Sequence, residues 1–157
     1  MRMKVDLKTK KAKVIHEKRN KKQGGIKMQR VYDFLKEAGT YYIATTEGDQ
    51  PRIRPFGTVD IYNGKLGIQT GKKKAFFKQI EENPKVEICA MKGGEWIRIA
   101  GELYADDSVE ACEHMLKNYE DLRGLYTPGD GNCVVLYFKS GTAIISSFTA
   151  APVVIEF

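Results

Sequence analysis

After residue 39, the hydrophobic and polar positions form short runs rich in β-branched and aromatic residues, separated by polar turns. Runs of this kind predict β-strands. The Asn63-Gly64 dipeptide is the strongest hairpin signal in the chain, because both central residues of a tight type I′ turn need positive φ. The predicted strands cover Thr40–Thr46, Pro51–Tyr62, Lys65–Thr70, Val86–Met91, Glu95–Tyr104, 133–139 and 142–148.

Three stretches have helical spacing of their apolar residues instead. Residues 28–38 precede Gly39 as a C-cap, residues 72–82 end at Asn83-Pro84, and a third helix follows the N-cap candidates Asp106 to Ser108. The strands are mostly connected by hairpins. The pattern therefore predicts a fold that is mainly β with short helices, an antiparallel barrel of six or seven strands.

The first 27 residues differ in composition from the rest of the chain. They hold 11 of the 26 Lys and Arg residues and two of the 20 acidic residues, which leaves residues 28–157 with a formal charge of −3. One interpretation is a solvated or disordered basic arm, residues 1–27, before a domain of residues 28–157. The other is a translated leader before a start at Met28, because Gln-Gly-Gly can be encoded by the purine run of a bacterial ribosome-binding site.

Composition narrows the classes of protein and of site. No stretch approaches the ~20 apolar residues of a membrane span, and no apolar segment follows the basic N-terminus as in a secretory signal. The three cysteines include no Cys-x-x-Cys pair, so reduced thiols in a cytoplasm are expected. Neither a zinc-ligand spacing nor a Ser/His/Asp set is present, so no metal site and no catalytic residue are predicted.

Cationic and hydroxyl side chains accumulate between residues 52 and 74. Arg52 and Arg54 are two apart and therefore share one face of their strand. Continuing the predicted hairpin to its end places Arg54 opposite Lys73, so the arginines, Thr70 and Lys72–Lys74 meet at one end of the sheet. Strict alternation sets Thr70 and Arg54 on opposite faces, unless a bulge near Pro55 resets the register.

Lys72–Lys74 stand at the predicted start of a helix, where a cation opposes the helix dipole. Helix N-terminal N–H groups, a hydroxyl and lysines together form a good phosphate cradle. A plain solvated surface is the alternative interpretation. The segment has no Gly-x-x-x-x-Gly-Lys-Ser/Thr motif, so an NTPase of that type is not indicated.

Three segments carry a family resemblance: PRIRPFGTVDI, NGKLGIQTGKKKAFFKQIEENPKVEICA and GEWIRIAGEL. In this order and spacing, residues 28–157 resemble the pyridoxamine 5'-phosphate oxidase-like FMN-binding family. They are most similar to its short bacterial members, near the nitroimidazole-resistance reductases. The resemblance implies a split β-barrel in which the Arg-x-Arg-Pro strand and the Thr-x-x-Lys-Lys turn hold the FMN ribityl phosphate. By this resemblance the cofactor-binding residues are Arg52, Arg54, Pro55, Gln69, Thr70, Lys73 and Lys74.

The resemblance also implies a homodimer with FMN at the interface. Trp96 or Phe148 of the second chain would then approach the cofactor, although Trp96 fits a barrel-core position equally well. The final segment, SSFTAAPVVIEF, does not match the ending with which the true oxidase grips pyridoxal phosphate. Oxidation of vitamin B6 compounds is therefore not expected.

Three functions remain open from the sequence. The first is an FMN-dependent oxidoreductase that passes electrons from a reduced nicotinamide to a small organic substrate. The second is a non-enzymatic module that binds or senses flavin, or a related ligand such as haem or a deazaflavin. The third is nucleic-acid binding through residues 1–27, which is disfavoured because a nucleic-acid reader carries its basic patch on the folded domain.

Overall fold

The computed structural model describes the backbone of residues 7–157 and the side chains from residue 22 onward. The elements are α1 (Leu7–Ala38), β1 (Tyr41–Glu47), β2 (Gln50–Phe56), β3 (Asp60–Tyr62), β4 (Lys65–Gly71), α2 (Ala75–Glu82), β5 (Lys85–Lys92), β6 (Glu95–Asp106), α3 (Val109–Asn118), β7 (Cys133–Ser147) and β8 (Val153–Glu156). A short 3₁₀ helix, Glu120–Gly124, follows α3. None of the described helices is long and apolar enough to cross a membrane.

The strands form one antiparallel sheet in the order β2-β1-β5-β6-β7-β4-β3, with β8 paired to β7. The prediction of a mainly β, antiparallel fold with helices between the strands is confirmed, with eight strands in place of six or seven. The hairpin prediction is also confirmed. Tyr62 pairs with Lys65, and Asn63 and Gly64 have φ of 51° and 72° as a type I′ turn requires.

The predicted strand 51–62 is in fact two strands at opposite ends of the sheet. β2 pairs only with β1, β3 pairs with β4, and residues 57–59 between them lie outside the ladder. Side chains satisfy the backbone there: the Tyr41 hydroxyl donates to the Thr58 carbonyl at 2.6 Å, and the Val59 N–H donates to the Tyr119 hydroxyl at 2.9 Å. The predicted pairing of Arg54 with Lys73 is therefore wrong, and Arg54 pairs with Ile43.

The predicted strands 133–139 and 142–148 are one continuous strand, β7. Ser140-Gly141 does not turn because the pairing with β6 continues past it, with a bulge at which Lys139 is skipped. Gly141 instead makes room for a neighbour, since a Cβ built on it would lie 2.6 Å from the ring of Phe157. The C-terminal segment, read from sequence as a tail, supplies β8.

The prediction that the first helix begins at residue 28 is wrong, because α1 begins at Leu7. Its C-terminal end packs on the barrel through Val31, Phe34 and Leu35. Once this packed end is formed, the helix extends through the lysine, alanine and glutamine residues that precede it, which favour a helix, and through Gly24-Gly25, which disfavour it by about 1 kcal/mol each. The domain boundary between residues 27 and 28 stays a prediction.

The interior of the barrel holds the main hydrophobic core, and α3 covers a second, smaller core on the outer face of β4 and β7. Ser108 caps α3 by accepting the Ala111 N–H at 3.2 Å. His114 Nδ1 lies 2.5 Å from Oδ2 of Asp60, which ties α3 to β3. The helix therefore closes one outer face of the sheet.

The other outer face, formed by β1, β2, β5 and the paired parts of β6, β7 and β8, has no covering element among the described residues. Its side chains include several large apolar groups that are exposed. These groups, which we call the open apolar face, are Tyr42, Ile53, Met91, Ile144, Phe148 and Val154. Exposed apolar patches of this kind are typical of interaction surfaces.

Candidate functional site

The turn between β4 and α2 presents the lysines. The predicted helix start at residue 72 is wrong: residues 72–74 form a turn, and α2 begins at Ala75 with Lys74 as its N-cap. Lys72 forms an ion pair with Asp107, whereas Lys73 and Lys74 are exposed. No side chain caps α2, and Lys73 and Lys74 are exposed directly before its first turn.

The end of β4, directly before this turn, carries two unsatisfied oxygens. Among the described residues, Gln69 Oε1 and Thr70 Oγ1 are the only buried side-chain atoms without a hydrogen-bond partner. Gln69 Nε2 donates to Sγ of Cys133 at 3.4 Å, which leaves its carbonyl oxygen as the open acceptor. Native proteins rarely leave such atoms unpaired, at a cost of about 1–3 kcal/mol each. The two oxygens lie on opposite faces of β4, and of the two only Gln69 Oε1 is on the side where a polar ligand could bind from a cleft.

Gln69 also lines a cleft of about 190 Å³. One wall is the β2–β3 connection and the other is the segment that follows α3. Lys74 lies at its rim, with Nζ 5.7 Å from the centre of the Tyr126 ring. The lining residues are Pro55, Phe56, Gly57, Thr58, Gln69, Lys74, Leu122, Leu125 and Tyr126. Leu125 is 73% exposed, which is high for a large apolar side chain.

Arg54 lies at the barrel mouth and is held by internal partners. Its Nη1 donates to Thr45 Oγ1 at 2.6 Å and its Nη2 donates to Gln79 Oε1 at 2.7 Å. The guanidinium carbon lies 5.0 Å from the centre of the Phe76 ring. Burial lowers the pKa of Arg54, and the neighbouring charge of Arg52 lowers it further. Gln79 and Phe76 both belong to α2. Arg54 therefore connects β2 to the helix that follows the lysine turn.

Arg52 shares the face of Arg54 as predicted, but it lies near the end of the strand and is exposed. Its Nε and Nη2 both donate to Oε2 of Glu47, at 2.8 and 2.5 Å. This bond and the charge of Arg52 lower the pKa of Glu47. Arg52 therefore stands at the outer rim of the barrel mouth.

The structure brings together some of the predicted residues and separates others. Pro55, Gln69 and Lys74 line the same cleft, and Lys73 is next to it in the turn. Arg54 and Thr70 both face the barrel interior, since their cross-strand partners are the core residues Ile43 and Val134. The break at residues 57–59 resets the register that strict alternation from the hairpin would impose.

Sequence reasoning missed the segment that supports the turn from behind. Asn132 accepts the Lys73 N–H through Oδ1 at 3.0 Å and the Lys72 N–H through its carbonyl at 2.8 Å. Asp130 Oδ1 in turn accepts the N–H groups of Asn132 and Cys133, both at 2.7 Å. The only signal in the sequence is the Gly-Asp-Gly-Asn run, which predicts a loop and no more.

Trp96 does not lie in the barrel core. It is half-buried and pairs with Met91 on the side of the sheet that carries the open apolar face. Its ring centre is 5.1 Å from that of Phe148, which is 89% exposed. The core interpretation of Trp96 is therefore wrong, and the two rings form one aromatic projection at the edge of the open apolar face.

Comparison with known proteins agrees with this geometry. Residues 28–132 match the pyridoxamine 5'-phosphate oxidase family. The fold defines the class of antiparallel split-barrel β-proteins, and within it the chain belongs to the pyridoxamine 5'-phosphate oxidase family. No curated protein matches the chain.

Solved structures show the same fold. The chain is 46% identical to a NimC/NimA family protein from Clostridium acetobutylicum, with a TM-score of 0.80 over 83% of this chain and 93% of that one. An FMN-binding protein from Nostoc punctiforme, related to pyridoxamine 5'-phosphate oxidase, is 17% identical with a TM-score of 0.58, covering 83% and 94%. General stress protein 26 from Bacillus anthracis is 16% identical with a TM-score of 0.62, covering 80% and 95%. The predicted split barrel is thereby confirmed.

Proposed function

We propose that the protein binds FMN in the cleft beside the lysine turn and acts as an FMN-dependent oxidoreductase. The observation that carries the proposal is the unpartnered Oε1 of Gln69, a buried acceptor in the wall of a cleft whose rim holds Lys74. A ribityl hydroxyl of FMN would donate to such an acceptor. The FMN-binding relative from Nostoc punctiforme supports this choice of ligand.

The phosphate of FMN would lie at the turn. Lys73 and Lys74 are exposed there, and the start of α2 has no side-chain cap. Cations at a helix N-terminus oppose the dipole, and a bound phosphate reverses this by accepting from the N–H groups and the lysines together. Lys72 is neutralised by Asp107, so the charge available to the ligand comes from Lys73 and Lys74.

The flavin ring would lie between the two apolar walls of the cleft. Pro55 and Phe56 form one wall, and Leu122, Leu125 and Tyr126 form the other. At about 190 Å³ the cleft is smaller than the roughly 300–1,000 Å³ typical of sites that enclose a small molecule. One chain therefore covers only part of the ligand, and the rest needs cover from elsewhere.

A second copy of the chain is the cover that we propose. The open apolar face includes Ile53, which is 70% exposed in the strand that leads to the cleft wall at Pro55. A homodimer through this face would bury these groups and bring apolar side chains toward the cleft. The aromatic projection of Trp96 and Phe148 in the second chain is the element that we expect closest to the flavin.

Bound FMN would supply the redox chemistry, while the side chains bind it, orient it and exclude water. The substrate that we propose is a small organic molecule, with a reduced nicotinamide as the electron donor. A flavin-binding module without turnover has the same binding site. Oxidation of NADH or NADPH by the FMN-loaded protein with an organic acceptor distinguishes the two, because a binding module gives no more turnover than free FMN.

The binding site is tested by replacing Lys73 and Lys74 together with alanine. FMN affinity should fall by about ten- to a hundredfold per lost charge-assisted contact, while riboflavin, which has no phosphate, should bind as before. The control replaces Lys85 and Lys117, which are exposed in β5 and α3 away from the turn, and should change neither ligand. An equal loss of FMN and riboflavin affinity in the Lys73/Lys74 double variant would show that these lysines do not bind the phosphate.

A further inference from the structure

Asn132 holds the lysine turn through two hydrogen bonds that come from different parts of the residue. Its side-chain Oδ1 accepts the Lys73 N–H at 3.0 Å, and its carbonyl oxygen accepts the Lys72 N–H at 2.8 Å. The backbone at both residues before the N-cap of α2 is thus fixed by one residue. The direction in which the lysine side chains leave the turn follows from this backbone.

Asn132 is itself fixed from two sides. Asp130 Oδ1 accepts its N–H at 2.7 Å, and Oδ2 of the same carboxylate accepts the Thr127 N–H at 3.0 Å. Immediately after Asn132, β7 begins and Cys133 pairs with Gly71 at the end of β4. Asn132 is therefore anchored both in its own loop and in the sheet.

Asn132 packs closely against Gly71, the last residue of β4 before the turn. A Cβ built on Gly71 would lie 3.0 Å from Oδ1 and 3.1 Å from Nδ2 of Asn132, and 3.1 Å from the ring of Tyr126. A side chain at residue 71 would require Asn132 or Tyr126 to shift by a few tenths of an ångström. The Asn132 amide therefore lies directly against the strand end from which the turn departs.

We propose that Asn132 is a positioning residue for phosphate binding: it fixes the turn so that Lys73 and Lys74 converge on one anion. The inference rests on the proposed FMN site and adds to it a residue that acts through the backbone of the turn. Lysine side chains are long and flexible, so their convergence on one phosphate costs conformational entropy. A fixed backbone reduces that cost before the ligand arrives.

The test compares Asn132→Ala with Asn83→Ala. Asn83 is a close match, because its Oδ1 accepts the Lys85 N–H at 3.1 Å in the turn at the other end of α2. Asn132→Ala should weaken FMN by about three- to tenfold, the effect of one lost hydrogen bond, and riboflavin by less than about twofold. Asn83→Ala should leave the ratio of FMN to riboflavin affinity unchanged.

A double-mutant cycle with Lys73→Ala separates positioning from general destabilisation. If Asn132 acts through the lysine turn, its effect on FMN should shrink when Lys73 is already absent. Full additivity, or equal loss of FMN and riboflavin affinity in Asn132→Ala, would overturn the inference. If Asn132→Ala does not fold, Asn132→Ser takes its place in both comparisons with the same expected results.

The proposed site and the role of Asn132 fail in different ways. If the Lys73/Lys74 double variant keeps its preference for FMN over riboflavin, the phosphate site itself is wrong. If that preference is lost but Asn132→Ala retains it, the site stands and only the role of Asn132 is wrong.

Discussion

Arg54 in β2 and Gln79 in α2 are joined by a hydrogen bond of 2.7 Å, from Nη2 of the guanidinium to Oε1 of the amide. Thr45 closes the triangle, because its hydroxyl accepts from Arg54 at 2.6 Å and donates to the same Gln79 oxygen at 2.6 Å. Thr45 and Gln79 are both buried. This triangle fixes α2 across the barrel mouth, and with it the turn that carries the lysines.

Removing the amide should therefore cost stability. Gln79→Ala leaves the Thr45 hydroxyl and an Arg54 N–H without their partner, so the free energy of unfolding should fall by about 1–3 kcal/mol. Gln29→Ala, at an exposed helical glutamine that bonds only Asp33, should change it by less than about 0.5 kcal/mol. Urea unfolding of both variants measures the free energy of unfolding. Equally small changes in the two variants would show that the triangle does not contribute to stability.

The dimer proposal predicts that one charge on the open apolar face separates the chains. Ile53→Asp would bury an unpaired carboxylate in the interface, so the protein should sediment as a monomer. Val109→Asp is the control, since Val109 is also exposed but stands at the first turn of α3, where an acidic residue is favourable. A wild-type monomer, or an Ile53→Asp dimer as tight as the wild type, would contradict the proposed interface.

The loop behind the lysine turn should respond to acid. Three backbone N–H bonds, from Cys133, Thr127 and Asn132, lower the pKa of Asp130 from its ordinary value of 3.8. Its contribution to stability is therefore complete above about pH 4 and is lost as the pH falls through the lowered pKa. Asp130→Asn should be less stable than the wild type at pH 7, and the difference should narrow below pH 4.

Thermal melting from pH 7 down to about pH 2 checks this behaviour. The control is Asp49→Asn in the exposed turn between β1 and β2, which should show no such narrowing. A constant difference between Asp130→Asn and the wild type across this range would show that the carboxylate charge does not hold the loop.

Truncation to residues 28–157 should leave the domain intact. Among the described side chains of α1, from residue 22 onward, the buried ones are Val31, Phe34 and Leu35, and Met28 is partly buried against the core. Between residues 22 and 27 the side chains are almost all exposed, so removing these six residues costs little buried apolar area. Melting temperature and FMN content should stay within error of the full chain. A large fall in either would place part of the folded domain before residue 28.

Local signals in the sequence predicted the elements that depend on local chemistry. The Asn63-Gly64 turn formed because its geometry requires those residue types, and Ser108 capped α3 for a similar reason. The break after Gly57 and the continuous strand through Ser140-Gly141 depend instead on distant partners, Tyr41 and Tyr119 in one case and Phe157 in the other. Sequence spacing contains no information about such contacts.

The candidate site shows the same division. The resemblance supplied Gln69, Lys73 and Lys74, and the structure adds the unpaired Gln69 oxygen and the cleft on which the proposed FMN site rests. Asn132 was not found because it is 59 residues from Lys73 in the chain and meets it only through the pairing of β7 with β4. A positioning residue of this kind becomes visible only once the sheet is assembled.

The central claim is that this chain holds FMN by its phosphate, and one titration tests it most directly. The purified full-length protein is stripped of ligand and titrated with FMN and with riboflavin while the visible flavin absorbance and fluorescence are followed. Saturable FMN binding, at least about tenfold tighter than riboflavin binding, is the predicted result. Absence of any flavin band after incubation with excess FMN and removal of free ligand would contradict the account.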